Sequence, residues 1–165
     1  MIYDVIAARA LHVLAIVIWI GGVSLVTTVA LPAIRKGELG ADRVQALHAF
    51  ERRFVWQART AVIVVALTGV YMLWRLSLWN RFHAAAFWWM HAMVCLWLLF
   101  ALILFVVEPL CARRRRGRPG ASPQAAPAAV ERKFRLMQWA HWVLLVLSMV
   151  TVLGAVAGSH GGSVF

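Results

Sequence analysis

Three histidines lie inside the long apolar stretches of this sequence, and a fourth comes shortly before one of these stretches. His12, His91 and His141 each fall within an apolar stretch, and His48 comes shortly before the second stretch. An ionisable side chain inside a transmembrane helix usually faces the other helices and has a function. Neutral imidazole is also a common protein ligand of haem iron. The histidines therefore predict a haem or metal site, with hydrogen bonding between helices as the simpler alternative.

His12 and His91 are expected to lie at the same depth in a membrane. His12 is seven residues from Val5, where the first stretch begins, and His91 is six from Ala85, where the third begins. A helix rises about 1.5 Å per residue, so both imidazoles lie about 9–11 Å from the same surface. The first and third helices run in the same direction, and facing helices of a bundle can hold a cofactor between their ligands. The pair is therefore predicted to supply both axial ligands of one haem b.

Gly69 and Gly154 are expected at the same level in the second and fourth helices. Without side chains they would let the flat porphyrin approach the helix backbone, although glycine also favours close packing between helices. Copper is a second candidate metal, because imidazole and the methionine thioether both bind it. The methionines near the histidines do not form a methionine-rich cluster, so haem b is the preferred cofactor.

His48 and His141 predict a second haem at the inner side of the membrane. His141 lies near the inner end of the fourth stretch, and His48 lies one helical turn before Glu51. A haem between the two histidines would complete an electron path across the bilayer. The alternatives are a surface His48 paired with Glu51, and a His141 bonded to a hydroxyl group or to water. Arg52 and Arg53 could contact haem propionates or a quinone head group, or could only anchor the chain at the inner surface.

Four apolar stretches predict the elements that position these residues. The chain of 165 residues is 63% hydrophobic and 14% charged, with a mean hydropathy of +0.78. About 20 apolar residues cross a hydrocarbon core about 30 Å thick. The prediction is one all-α domain, a four-helix membrane bundle in which Pro32 ends the first helix. The predicted bounds are residues 5–31, 54–74, 85–110 and 136–157 for the spans, 42–53 for an amphipathic lead-in helix and 112–131 for a disordered basic linker.

The net charge of +11 predicts the orientation of the helices rather than a nucleic-acid partner. Fourteen of the seventeen Lys and Arg residues fall in or beside the connections after spans one and three, and only Arg9, Arg75 and Arg81 fall toward the other side. Basic connections remain in the cytoplasm. Both termini are therefore expected on the outer, periplasmic side of a bacterial inner membrane, with the lipid bilayer as the first partner.

Several segments share a pattern with two related families of membrane proteins. The segments are LHVLAIVIWIGG from Leu11 to Gly22, Leu31-Pro32, Glu51-Arg52-Arg53-Phe54, Gly69-Val70 and Trp89-Met90-His91-Ala92. They resemble the copper-resistance D (CopD) proteins and the HemJ-type bacterial protoporphyrinogen oxidases, and the HemJ type is a small membrane protein with haem b. The resemblance covers spans one to three and implies a b-type haem protein.

Two departures from the HemJ pattern concern the chemistry of the site. Met93 stands where that family has a lysine two residues after the histidine, and Gln138-Trp139-Ala140-His141 stands where its later helix opens with Asn-Glu-x-Pro. We therefore expect oxidoreduction or electron transfer, with a quinone or a redox protein as partner and a homo-oligomer or larger complex as the assembly. Protoporphyrinogen oxidation, copper transport or resistance, and an accessory role in a respiratory complex are the alternatives.

Overall fold

Four long helical rods make up the described part of the chain, which in this computed structural model comprises residues 2–38, 43–116 and 127–159. The helices are α1 (Tyr3–Leu25), α2 (Leu31–Lys36), α3 (Arg43–Arg75), α4 (Trp88–Leu102), α5 (Glu108–Arg116) and α6 (Pro127–Ser159). π-helical turns join α1 to α2 (Val26–Ala30) and α4 to α5 (Ile103–Val107), so each of these pairs forms one rod. Two 3-10 turns, Leu78–His83 and Ala85–Phe87, connect α3 to α4.

Each rod is long and apolar enough to cross a membrane. The four candidate spans are Tyr3–Lys36, Gln45–Arg75, Ala85–Arg114 and Glu131–Ser159. The prediction of an all-α chain with four such helices is confirmed. Large apolar side chains are exposed along all four rods, for example Val17, Leu67, Leu98 and Leu153. Apolar surface on this scale is unusual for a soluble monomer.

Pro32 and Pro109 lie inside their rods and do not end them. The prediction that the first helix ends at Pro32 is wrong, since α2 continues to Lys36. In an α-helix a proline ring collides with the carbonyl four residues earlier. In both rods the turn before the proline is π-helical, and this wider turn gives the ring room. The first rod ends instead at Gly37, whose φ of 79° is left-handed.

The lead-in helix and the linker also differ from their predicted bounds. The lead-in is continuous with the second span, because α3 runs from Arg43 to Arg75 without a break. Residues 112–116 and 127–131, which were predicted as disordered linker, are helical. Residue 42 and the linker residues 117–126 lie outside the described residues.

The rods associate as two pairs, α1 with α3 and α4 with α6. The pairs meet in an apolar core, where the Trp19 ring packs edge-on against Phe100 with 4.7 Å between ring centroids. The indole N–H of Trp97 donates to the carbonyl of Val62 at 2.9 Å and ties α4 to α3. A second apolar cluster surrounds Phe134, near the first π-helical turn.

An ion pair marks each end of the bundle. Asp4 and Arg75 lie 2.6 Å apart at the end that we call the Asp4 end. Arg35 and Glu131 lie 2.7 Å apart at the opposite end, which we call the Arg35 end. The chain enters α1 and leaves α6 at the Asp4 end, and most of the basic residues lie toward the Arg35 end.

Candidate haem site

His12 lies at the interface of α1 and α3, toward the Asp4 end, and its side chain is half-buried. Its Cε1 atom is 3.4 Å from the position that a Cβ would take on Gly69. Its Nδ1 atom is 2.8 Å from Oγ1 of Thr68. The structure thus brings two of the predicted site residues, His12 and Gly69, into contact, and adds Thr68 to them.

The hydrogen bond with Thr68 decides which ring nitrogen of His12 carries the proton. A threonine hydroxyl has a single hydrogen, and Thr68 donates it to the carbonyl oxygen of Val64 at 2.6 Å. Thr68 Oγ1 can then only accept from His12, so Nδ1 of the imidazole carries a proton, and in the neutral ring Nε2 keeps its lone pair. A histidine that ligates a metal almost always donates its other N–H to such a partner. In this arrangement Nδ1 of His12 has a protein partner, as the second ring nitrogen of a metal-bound histidine usually has, and the ligation of iron by His12 stays a prediction.

A polar cluster at the Asp4 end holds α1 in register on α3. Oδ2 of Asp4 accepts hydrogen bonds from Tyr71 Oη at 2.9 Å and from Arg75 Nη2 at 2.6 Å. The cluster lies two helical turns from His12 along α1. A slide of one residue between the helices would break all of these bonds. The cluster therefore helps to keep the imidazole of His12 beside its partner on α3.

His91 lies near the start of α4, on a face that points away from the other rods. Its side chain is exposed, and its ring meets that of Phe82 edge-on, with 5.2 Å between centroids. Cys95 and Leu98, which follow at helical spacing on the same face, are exposed as well. Among the described residues, no contact joins His91 to His12. Their pairing on one iron stays a prediction, and in this arrangement it requires α4 to turn about its axis.

Gly154 does not border free space for a porphyrin. A Cβ on Gly154 would lie 2.7 Å from the indole of Trp88, which occupies the space beside the glycine. Gly158, one turn further along α6, lies against the indole of Trp89 in the same way. Glycine at these positions lets two tryptophans of α4 pack closely on α6. In this structure Gly154 therefore serves helix packing, the alternative that the sequence offered, and its role in making room for haem stays a prediction.

His48 lies on α3 toward the Arg35 end, where Nδ1 is 3.1 Å from Oε2 of Glu51. This is the pairing of His48 with Glu51 that the sequence offered as the alternative to haem ligation. Arg52 and Arg53, the predicted partners of propionates or a quinone, are both exposed on α3.

His141 is half-buried on α6, and its ring is oriented by its own helix. Nδ1 is 2.9 Å from the carbonyl oxygen of Met137. A carbonyl only accepts, so Nδ1 donates, and in a neutral imidazole the lone pair is then on Nε2. Within the described part of the chain, no contact joins His141 to His48. The second haem between them stays a prediction.

Thr68 is the site residue that sequence reasoning missed. Its role depends on how α1 and α3 are aligned, and the lengths of the spans leave that alignment open by several residues. The available signal was a hydroxyl residue beside Gly69 at the expected depth of a histidine. In the described ranges, no three His, Cys, Asp or Glu side chains come together as a metal site. A haem iron takes four nitrogens from its porphyrin and needs only one or two ligands from the chain.

Comparison with protein-family models, curated proteins and solved structures gives no match for this chain. The resemblance to the HemJ and CopD families therefore remains a hypothesis.

Proposed function

We propose that this protein binds haem b inside a membrane-spanning helix bundle and transfers electrons through it. The observation that supports this most directly is the state of His12, whose Nδ1 proton is held by Thr68 while Nε2 keeps its lone pair. The same hydrogen bond also ties α1 to α3. A serine or asparagine side chain could also form a hydrogen bond between the two helices. Histidine differs because it has a second ring nitrogen, whose lone pair lies in an apolar bundle.

Each residue of the site has a part in holding the haem. His12 Nε2 would bind the iron. Thr68 accepts the N–H of the imidazole, which keeps the ring in one orientation and would make it a stronger iron ligand. Gly69 has no side chain and therefore leaves space for the imidazole of His12 against α3. The apolar core of Trp19, Phe100 and their neighbours keeps water from the buried side of the site. Haem b, when bound, supplies reversible one-electron chemistry.

We further propose that the rods cross a bacterial inner membrane with both termini on the periplasmic side. The Arg35 end carries most of the basic residues, and such an end remains in the cytoplasm. The Asp4 end and His12 then lie toward the periplasm. A quinone in the bilayer or a redox protein at either surface is the partner that exchanges electrons with the haem.

A spectrum of the purified protein tests the proposal. We expect the reduced-minus-oxidised difference bands of a b-type haem, with about one haem per chain by pyridine haemochrome assay. His12→Ala should remove the haem or change its spin state. His83→Ala is the matched control, because His83 is exposed in the connection before α4. A wild-type protein without haem, after expression with added haem precursor, would contradict the proposal.

Product analysis then separates electron transfer from the second candidate, protoporphyrinogen oxidation, which the resemblance to the HemJ type favours. The purified protein is incubated with protoporphyrinogen, and protoporphyrin is measured by its fluorescence. We expect no increase over the non-enzymatic rate. A turnover that disappears in His12→Ala would make the oxidase the better assignment.

A further inference from the structure

The first and third rods carry the same irregularity of the backbone. Each contains a π-helical turn, Val26–Ala30 in one and Ile103–Val107 in the other. In each rod a proline, Pro32 or Pro109, is the second residue after that turn. The coincidence matters because a π-helical turn shifts the hydrogen-bond register and a proline removes one donor from it.

In the first rod, the register and the proline leave the carbonyl of Thr27 without a backbone donor. Leu31 N–H donates to the carbonyl of Val26, five residues earlier. The next N–H in this register would come from position 32 and reach Thr27, but Pro32 has none. A side chain replaces it, because Nε2 of Gln138 donates to the carbonyl oxygen of Thr27 at 2.6 Å.

In the third rod, the same count leaves the carbonyl of Leu104 without a donor. Glu108 N–H donates to the carbonyl of Ile103, and Pro109 cannot supply the next bond. Arg59 does so with two of its nitrogens, Nε at 3.1 Å and Nη2 at 2.8 Å. Its Nη2 also meets Oε2 of Glu108 at 2.7 Å, so one guanidinium holds the turn and the residue before the proline.

The two substitute donors come from opposite helix pairs. Gln138 belongs to α6, the partner of α4, and bonds to the rod of α1. Arg59 belongs to α3, the partner of α1, and bonds to the rod of α4. Nearly the same number of residues separates Thr27 from Leu104 as separates Arg59 from Gln138. The chain is therefore arranged as two equivalent helix pairs. A side chain of each pair donates the hydrogen bond that a backbone carbonyl of the other pair lacks.

We propose that Arg59 and Gln138 are reciprocal braces that replace the two missing proline N–H groups and so fix the docking of the pair α1–α3 on the pair α4–α6. In a bilayer there is no water to satisfy a freed carbonyl, and a neighbouring helix has to do it. This inference concerns the assembly of the bundle and holds whether or not the chain binds haem.

A double-mutant cycle with each proline tests the braces. Gln138→Leu removes the donor, and Pro32→Ala restores a backbone N–H that can reach Thr27. We expect Gln138→Leu alone to raise the unfolding equilibrium constant about 3- to 30-fold, the range for hydrogen bonds between membrane helices. In the Pro32→Ala background most of that increase should vanish, whereas in the Pro109→Ala background it should remain.

The second brace provides the mirror experiment and the control. Arg59→Met should be rescued by Pro109→Ala and not by Pro32→Ala, and Glu108→Gln measures the ion pair separately. Unfolding of the full chain is followed by circular dichroism in mixed micelles with increasing dodecyl sulfate. If Gln138→Leu does not accumulate in membranes, its recovery by Pro32→Ala and not by Pro109→Ala supports the brace. An equal loss in all three backgrounds overturns the proposal.

Discussion

Thr68→Val separates the role of Thr68 in orienting a ligand from its role in packing. Valine keeps the branched shape, so the change removes the hydrogen bonds of the hydroxyl and little volume. The lost bonds are the 2.8 Å contact with Nδ1 of His12 and the donation to the helix carbonyls of Val64 at 2.6 Å and Val65 at 3.3 Å. Loss of such a partner lowers metal affinity about 10- to 100-fold. The haem dissociation constant should rise by that factor, which corresponds to about 1.4–2.8 kcal/mol.

Haem titration into apo-protein in nanodiscs, followed at the Soret band, measures the effect. Thr60→Val is the matched control, because Thr60 is also on α3 and donates to a helix carbonyl, that of Trp56 at 3.0 Å, but its side chain is exposed. Both variants lose the same kind of bond to their own helix. If the two variants bind haem equally well, Thr68 does not orient a ligand and the reasoning about the His12 tautomer fails.

Three further predictions address space, topology and stoichiometry. Gly69→Leu should reduce haem occupancy at least about tenfold, the effect of a lost orienting partner, because the new side chain would start 3.4 Å from the imidazole of His12. Gly21→Leu is the control and should not change haem occupancy, because a Cβ there meets no described atom within 4 Å. A haemochrome assay of both variants measures the effect. An impermeant thiol reagent added to intact cells, after replacement of the native cysteines, should label Ser163→Cys and not Ser122→Cys; the reverse pattern would mean that the orientation drawn from the basic residues is inverted. For His141→Ala, haem per chain should fall if a second haem exists, and a ratio near one in both proteins would leave a single-haem protein.

The four rods could be predicted because composition alone constrains them. A stretch of about 20 apolar residues has few structural alternatives in a bilayer, and all four appear as helices long enough to span it. The helix ends could not be predicted in the same way. Pro32 is normally a sign of termination, but here a π-helical turn accommodates it and Gln138, distant in sequence, completes the backbone. A contact between distant segments is not visible in local sequence.

Only part of the site could be predicted, because it also depends on contacts between segments that are distant in sequence. A glycine in a membrane helix indicates that something approaches closely, and it does not say what. At Gly69 the neighbour is the imidazole of His12, a predicted haem ligand, rather than free space for a porphyrin, and at Gly154 it is the indole of Trp88. The two cases differ only in which helix packs on which. The pairing of α1 with α3 and of α4 with α6 therefore had to come from the structure.

His12 and His91 lie at similar depths along their helices, but their side chains point in different directions around the helix axes. His12 is twenty residues before Pro32 and His91 is eighteen before Pro109, so their depths agree to about 3 Å if the prolines mark equivalent levels. Each residue also turns the helix by about 100°, so the same two residues amount to about 200° of rotation. One imidazole faces the neighbouring helix and the other faces outward. A high-spin spectrum that depends on His12 alone agrees with this geometry. A low-spin spectrum lost in both His12→Ala and His91→Ala would require α4 to turn by about half a revolution when haem binds.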